Sequence, residues 1–250
     1  MVAGNDLGSF LRAARARSGI TRRQLGARAG YSESWIRQVE TNTHHPPETA
    51  LTPIAQALGL SSWETHYLFA LGGKMAGTAG LEIPDVSDYL EALNPHPAAY
   101  LSAGWTVQHA NSEFERLFKG LWISPNFVNW HYVGRRTPDI LLDYQSSSDW
   151  LISWLKFNLA LTPEDPDLTY VLHKMAPIND FARHWERNTI PADPASRPWL
   201  VRDLDNESVL RVNMRVWRAG QSSDLMLLGV IQETVGDSTN GPRPESPGTG

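Results

Sequence analysis

The sequence predicts an α+β protein in two parts: an all-α head of five short helices, then a mixed domain built on an antiparallel sheet. Three observations lead there. Apolar residues recur three and four apart between residues 7 and 71, the spacing of amphipathic helices, and glycines close the series. Four glycines fall within the nine residues from Gly72 to Gly80, a composition that reads as a linker. Farther on, strict alternation over Val209–Trp217 is followed by a β-rich run, Leu225–Ile231. The short polar stretch Gly220-Gln221-Ser222-Ser223 joins them, so the two runs predict a hairpin.

In the head, Leu7, Phe10, Leu11 and Ala14 form the buried stripe of a first helix that ends at Gly19. Thr21 is placed to cap a second helix, with Leu25 and Ala29 inward and Gly30 ending it in the left-handed conformation. Gly26 inside this helix costs on the order of 1 kcal/mol of helix propensity relative to alanine. Ser32 then caps a third helix whose inward residues are Ile36 and Val39, while Glu33, Ser34, Arg37 and Gln38 face outward. After Pro46-Pro47, Leu51, Ile54, Ala55 and Leu58 predict a fourth helix ended by Gly59. Ser61 or Ser62 opens a fifth through Trp63, Tyr67, Leu68 and Leu71. The second and third helices read together as a helix-turn-helix. A narrow buried seam beside a polar, hydrogen-bonding face suits a helix inserted in the major groove of DNA.

The second part holds eight of the ten tryptophans. A short helix is expected around Tyr89–Leu93. Strands are expected over Ala98–Ser102 and Trp105–Ala110, with a tight Ala103-Gly104 turn between them. Asn111 caps a helix carrying Phe114, Leu117 and Phe118, and Asp149 starts another through Ile152, Leu155 and Leu159. Further helices are expected near Leu168–Met175 and Asn179–Arg187. The organisation is therefore a head over 1–73, a linker over 74–81, a second domain over 82–235 and a tail over 236–250. That tail, almost all Gly, Pro, Ser, Thr and charge, is too poor in apolar surface to order itself.

Charge follows the same division. The chain carries 22 basic and 27 acidic residues, yet up to residue 76 there are 8 basic and 5 acidic, net +3, leaving net −8 for the remainder. Such asymmetry fits a local nucleic-acid face beside an acidic domain with another task. The absence of cysteine excludes disulfides, thiolate zinc sites and a cysteine nucleophile. There is neither a signal-peptide pattern nor an apolar run of membrane-spanning length, so a cytoplasmic protein with no membrane partner is expected.

Gln24, Leu25, Gly30, Tyr31, Ser32, Ile36, Val39 and Glu40 follow the pattern of Xre-type regulators, the group that includes the λ and 434 repressors, and residues 7–71 resemble that module. Asn42 stands where glycine usually closes the recognition helix. The resemblance implies that Glu33, Ser34 and Gln38 read base edges, that Gln24 and Thr41 contact phosphates, and that Arg37 reaches backbone or base. Ser32 is included in that face, though its residue type suits a cap. Arg22 and Arg23 would add electrostatic attraction, and Glu40 would partner an arginine within the head. Trp35 would pack on the following loop. It also implies a homodimer on a palindromic operator in double-stranded DNA.

In the second part, the order strand, strand, helices, meander is similar to PAS-like sensor domains. Tyr100-Leu101-Ser102, Trp105, Val107, Asn111, Phe114 and Leu117-Phe118, with the blocks Asn126–Trp130 and Phe181–Trp185, resemble the MmyB-like ligand-binding domain. That resemblance implies a pocket for a small-molecule effector. Phe114, Phe118, Phe127, Trp130, Trp154 and Met214 are the candidate lining, suited to an apolar or amphipathic guest such as a fatty acid; no cofactor is required. For each ring taken singly, core packing is the commoner fate. Two alternatives keep the regulator but change its input: haem, with His109, His131, His173 or His184 as axial ligand, or a protein partner in place of a small molecule. An enzyme is not expected: the His-Glu-x-x-His, Gly-x-Ser-x-Gly, phosphate-loop and dinucleotide patterns are all missing.

Overall fold

The computed structural model describes residues 6–73, 86–188, 197–218 and 224–235. The expected linker, 74–81, and the tail, 236–250, therefore lie outside the described residues. The head consists of α1 (Leu7–Arg17), α2 (Arg22–Ala29), α3 (Glu33–Glu40), α4 (Glu48–Leu58) and α5 (Ser62–Leu71). Their caps are those the residue types predict. Thr21 and Ser61 each close a reciprocal capping box, with Gln24 and Glu64 respectively, and Ser32 accepts from the Trp35 N–H. Leu7, Phe10, Leu25, Ile36, Val39, Leu51, Ile54 and Leu68 share one core.

Gly26 has a role that propensity alone does not show. A Cβ built there would lie 2.4 Å from the carbonyl oxygen of Tyr31. Glycine thus lets the turn close more tightly on α2 than a larger residue would, and this offsets its cost within the helix. Gly30 takes the turn itself, at φ +81°.

The second part is a five-stranded antiparallel sheet with a layer of helices on one face. Its elements are α6 (Val86–Glu91), β1 (Ala98–Leu101), β2 (Val107–Ala110), α7 (Ser112–Leu117), α8 (Phe127–Val133), α9 (Thr137–Ile140) and α10 (Tyr144–Leu161). There follow α11 (Pro166–Met175), α12 (Asn179–Arg187), β3 (Trp199–Arg202), β4 (Val209–Arg218) and β5 (Leu225–Val235). The strand order is β2-β1-β5-β4-β3. Alternation along β4 sends Leu210, Val212, Met214 and Val216 into the core, where they meet Trp199 and Val201 of β3 and Leu225 and Leu227 of β5. On the outer face α6 covers only the β1–β5 side, through Leu90 against Ala98 and Met226.

Three expectations need correction. Trp105 does not begin a strand. It sits in the β1–β2 turn at φ +64°, its N–H donating to the Ser102 carbonyl and its side chain fully buried. Burial of the indole holds a backbone conformation that an L-residue seldom adopts. The long helix starts at Tyr144, capped by Asp143 rather than Asp149, so the serine run at 146–148 is helical. Ser147, Ser148 and Ser153 return their hydroxyls to carbonyls three or four residues back, which lets a serine-rich stretch remain in the helix. The first helix of this part runs over Val86–Glu91, several residues before the expected Tyr89–Leu93.

Candidate nucleic-acid interface and the domain behind it

The helix-turn-helix brings Glu33, Ser34, Arg37 and Gln38 together on the solvent side of α3, all exposed, while Ile36 and Val39 are buried beneath. Spacings of one, four and five residues place these four on a single strip of helix surface. The other three candidates are committed to backbone. The Ser32 hydroxyl accepts from the Trp35 N–H at 3.1 Å. Gln24 accepts from the Thr21 N–H at 2.8 Å, which leaves its amide NH2 outward. The Thr41 hydroxyl donates to the Arg37 carbonyl at 3.0 Å.

A fully buried carboxylate anchors this unit. Glu40 accepts from Arg15 Nε at 2.5 Å and from Arg22 Nε at 2.7 Å, tying the end of α3 to α1 and to the start of α2. The intramolecular arginine partner expected for Glu40 is therefore present twice. Arg22, read from sequence as electrostatic attraction for DNA, is one of those partners, and Arg23 and Arg28 are the exposed arginines of α2. Asn42 adopts φ +56°; its amide donates to Asp6 at 2.6 Å and its oxygen accepts the Gly8 N–H at 2.9 Å. Burial alone would raise the Asp6 carboxyl, but donors from Asn42 and Ser9 outweigh it and hold the group below the ordinary aspartate value. Tyr31 stacks on Trp35 at 4.1 Å, and Trp35 meets His44 of the following loop edge-on at 5.6 Å.

The head is not isolated from the second domain. Trp63 of α5 stacks on Phe157 of α10 at 4.8 Å and meets Trp154 edge-on at 4.9 Å. Phe157 is buried within the head's own core cluster. Opposite positions on the same helix, Leu151, Ile152 and Leu155, are buried in the core of the sheet domain.

Phe114, Phe118, Phe127 and Trp130 do come together, with ring centroids 4.7 to 6.1 Å apart, and Trp199 joins them. They fill the core along with Met214. Trp154 stands apart from them, on the seam with the head. Two clefts open on the surface of this domain. One, of about 480 Å3, runs over Trp130, Val133 and Ile123, with Arg135 and Arg136 at its edge. The other, of about 440 Å3, lies between α11 and residues 124–129 and is edged by Asp167, Tyr170 and Lys174.

Of the four candidate histidines only His131 and His184 come near each other, both packed on Tyr132 and Tyr144. His131 is buried and bonded to Ser148 at 2.9 Å, His109 bonds Ser87, His173 is exposed, and His184 lies near Tyr132. Among the described residues no three His, Cys, Asp or Glu side chains are grouped to hold a metal ion. Nor is any described helix long and apolar enough to cross a membrane.

Sequence reasoning missed the Asp6–Asn42 cap, the α5–α10 seam and the elements α8, α9 and β3. The first two depend on residues far apart in the chain, and the others are four to seven residues long.

A helix-turn-helix head with an exposed polar recognition helix, joined to an α+β domain carrying surface clefts, defines a DNA-binding transcription regulator. Residues 6–68 match a helix-turn-helix domain family. Residues 84–239, more than half of the chain, match the MmyB-like transcription regulator ligand binding domain, and the chain belongs to that family. No curated protein matches it. Both families are regulator domains and not enzymes.

Proposed function

We propose that this chain is a sequence-specific regulator that binds a palindromic operator as a homodimer in the cytoplasm, and that its second, PAS-like domain senses a small apolar or amphipathic molecule. The observation that carries the DNA half is the strip Glu33, Ser34, Arg37 and Gln38, exposed and without ion pairs among the described residues, on a helix whose other side is locked by Glu40. Gln38 bonds an adenine edge and Glu33 accepts from cytosine. The free amide of Gln24 and the start and end of α3, at Ser32 and Thr41, set the register on phosphates. Two heads would occupy half-sites about one helical turn, roughly 34 Å, apart. The functional units are the head over 1–73 and the sensor over 82–235, joined by the linker 74–81.

For the sensor half, the cleft over Trp130 supports the reading, since it offers an apolar floor with cationic residues at its edge. Such a lining suits a guest with an apolar body and an anionic end, a fatty acid or a polyketide-like metabolite. The decisive test is Gln38→Ala against a panel of operator variants. Loss of discrimination at one base pair, worth about 1–3 kcal/mol, is expected. A variant that binds every sequence as the parent does removes the base-reading role. Sedimentation as a monomer with and without operator removes the homodimer.

A further inference from the structure

The outer face of the sheet carries a cationic stripe that the regulator reading leaves unused. Residues of β4 that alternate with the buried set are Arg211, Asn213, Arg215 and Trp217. Arg211 pairs in register with Leu200 of β3 and with Glu233 of β5, and Arg202 with Val209, so Arg202 and Glu233 share this face. Among the described residues, helix α6 packs over the β1–β5 side and not over the β4–β3 side. Trp217 is 47% exposed there.

On the helices of this domain Arg116, Arg183 and Arg187 are each ion-paired. Arg202, Arg211 and Arg215 form no ion pair among the described residues. The Nε of Arg211 is moreover shut off from solvent with no acceptor. That Nε is closed to any outside group, so an acceptor supplied from outside would meet the terminal nitrogens of Arg211 and the guanidinium of Arg215. Arg211 and Arg215 are separated by about 13 Å along the strand, the reach of a few residues of extended chain.

We propose that this stripe docks an acidic protein segment, whose carboxylates pair with Arg211 and Arg215 and whose apolar side chain covers Trp217. Charge complementarity selects that occupant. A two-fold contact with a second copy through this face would set arginines against arginines. The operator is also poorly placed for it, because α10 carries the head from the helical layer, on the opposite side of the sheet. Guanidinium forks suit carboxylates held in bidentate geometry.

The test uses the full chain and a fluorescein-labelled peptide of glutamate with interspersed leucine, followed by anisotropy at low salt. Binding is expected, and the double variant Arg211→Gln, Arg215→Gln should weaken it roughly tenfold. Operator affinity and the melting temperature should stay unchanged, and lysine at both positions should restore part of the binding. Trp217→Gln, at an exposed position, serves as the second variant should the double variant fail to fold, and it too should weaken the peptide. Equal affinity of parent and variants overturns the proposal. So does tighter binding of oligothymidylate than of the peptide, which would assign the face to nucleic acid. Self-association of the parent that the double variant abolishes would assign it to a second copy. Operator binding by the parent is scored separately, so failure here leaves the DNA-binding reading standing.

Discussion

Replacing Glu40 with alanine should do more damage to the head than any other single polar change. Glu40 is fully buried and receives three donors, Arg15 Nε at 2.5 Å, Arg15 Nη2 at 3.2 Å and Arg22 Nε at 2.7 Å. A hydrogen bond to a charged group contributes about 1.5–3 kcal/mol, and removing one member of a buried pair costs about 3–5 kcal/mol when the other stays buried. Here the arginines can partly recover water, since their side chains are 18% and 36% exposed. The expected loss is therefore about 2–3 kcal/mol, a large share of a small domain's stability. In urea the head's transition should move down by about 1–2 M, and hydrogen exchange in α1 and α3 should accelerate with it. The pair Glu40→Leu, Arg15→Met should recover much of the loss, because an apolar pair leaves no charge stranded. A shift in Glu40→Ala below about 0.5 kcal/mol would refute the reasoning, since surface changes commonly have effects of that size.

Two further expectations rest on α10. Lys156 is buried, and burial pushes its ammonium down to about 8 from 10.5. The folded state thus binds its proton less tightly than the unfolded chain, and the stability of the sheet domain should rise between pH 8 and 10.5. Denaturation across that window should show a smaller rise in Lys156→Met, and an equal rise would exclude the lysine as its source. Phe157→Ala empties a buried site in the head's core and should cost about 3 kcal/mol. It should also speed exchange in α5 while leaving the strands protected; unchanged exchange in α5 would show that the seam does not support the head.

The head was legible because its determinants are local. Thr21, Ser32 and Ser61 cap within three residues of themselves, and Leu51, Ile54, Ala55 and Leu58 repeat on one turn after another. The second domain was legible only where its elements are long enough to show a period, as in β4. β3 has four residues and becomes a strand by pairing with β4, information held elsewhere in the chain. Asp149 looked like a helix start because serines compete for the backbone in sequence, whereas in the folded chain their hydroxyls bond within the helix. Of the DNA-facing strip, the four outward residues could be read from periodicity alone. That Arg22 would instead turn inward to Glu40 depends on the packing of α2 against α3 and could not. Phe114, Phe118, Phe127, Trp130 and Met214 share the core of the second domain, whereas Trp154 lies between Trp63 of the head and Trp150 of its own domain.

Phe157 belongs by sequence to the sensor and by packing to the head, and that gives the two units a common fate. The head lacks one of its own core side chains until α10 is in place. A fragment that stops at residue 73 would present Trp63 and Tyr67 to water where Phe157 now covers them. Whatever reshapes the helical layer of the sensor must therefore alter how well the DNA-reading unit is finished, with α10, about 27 Å long, as the common member.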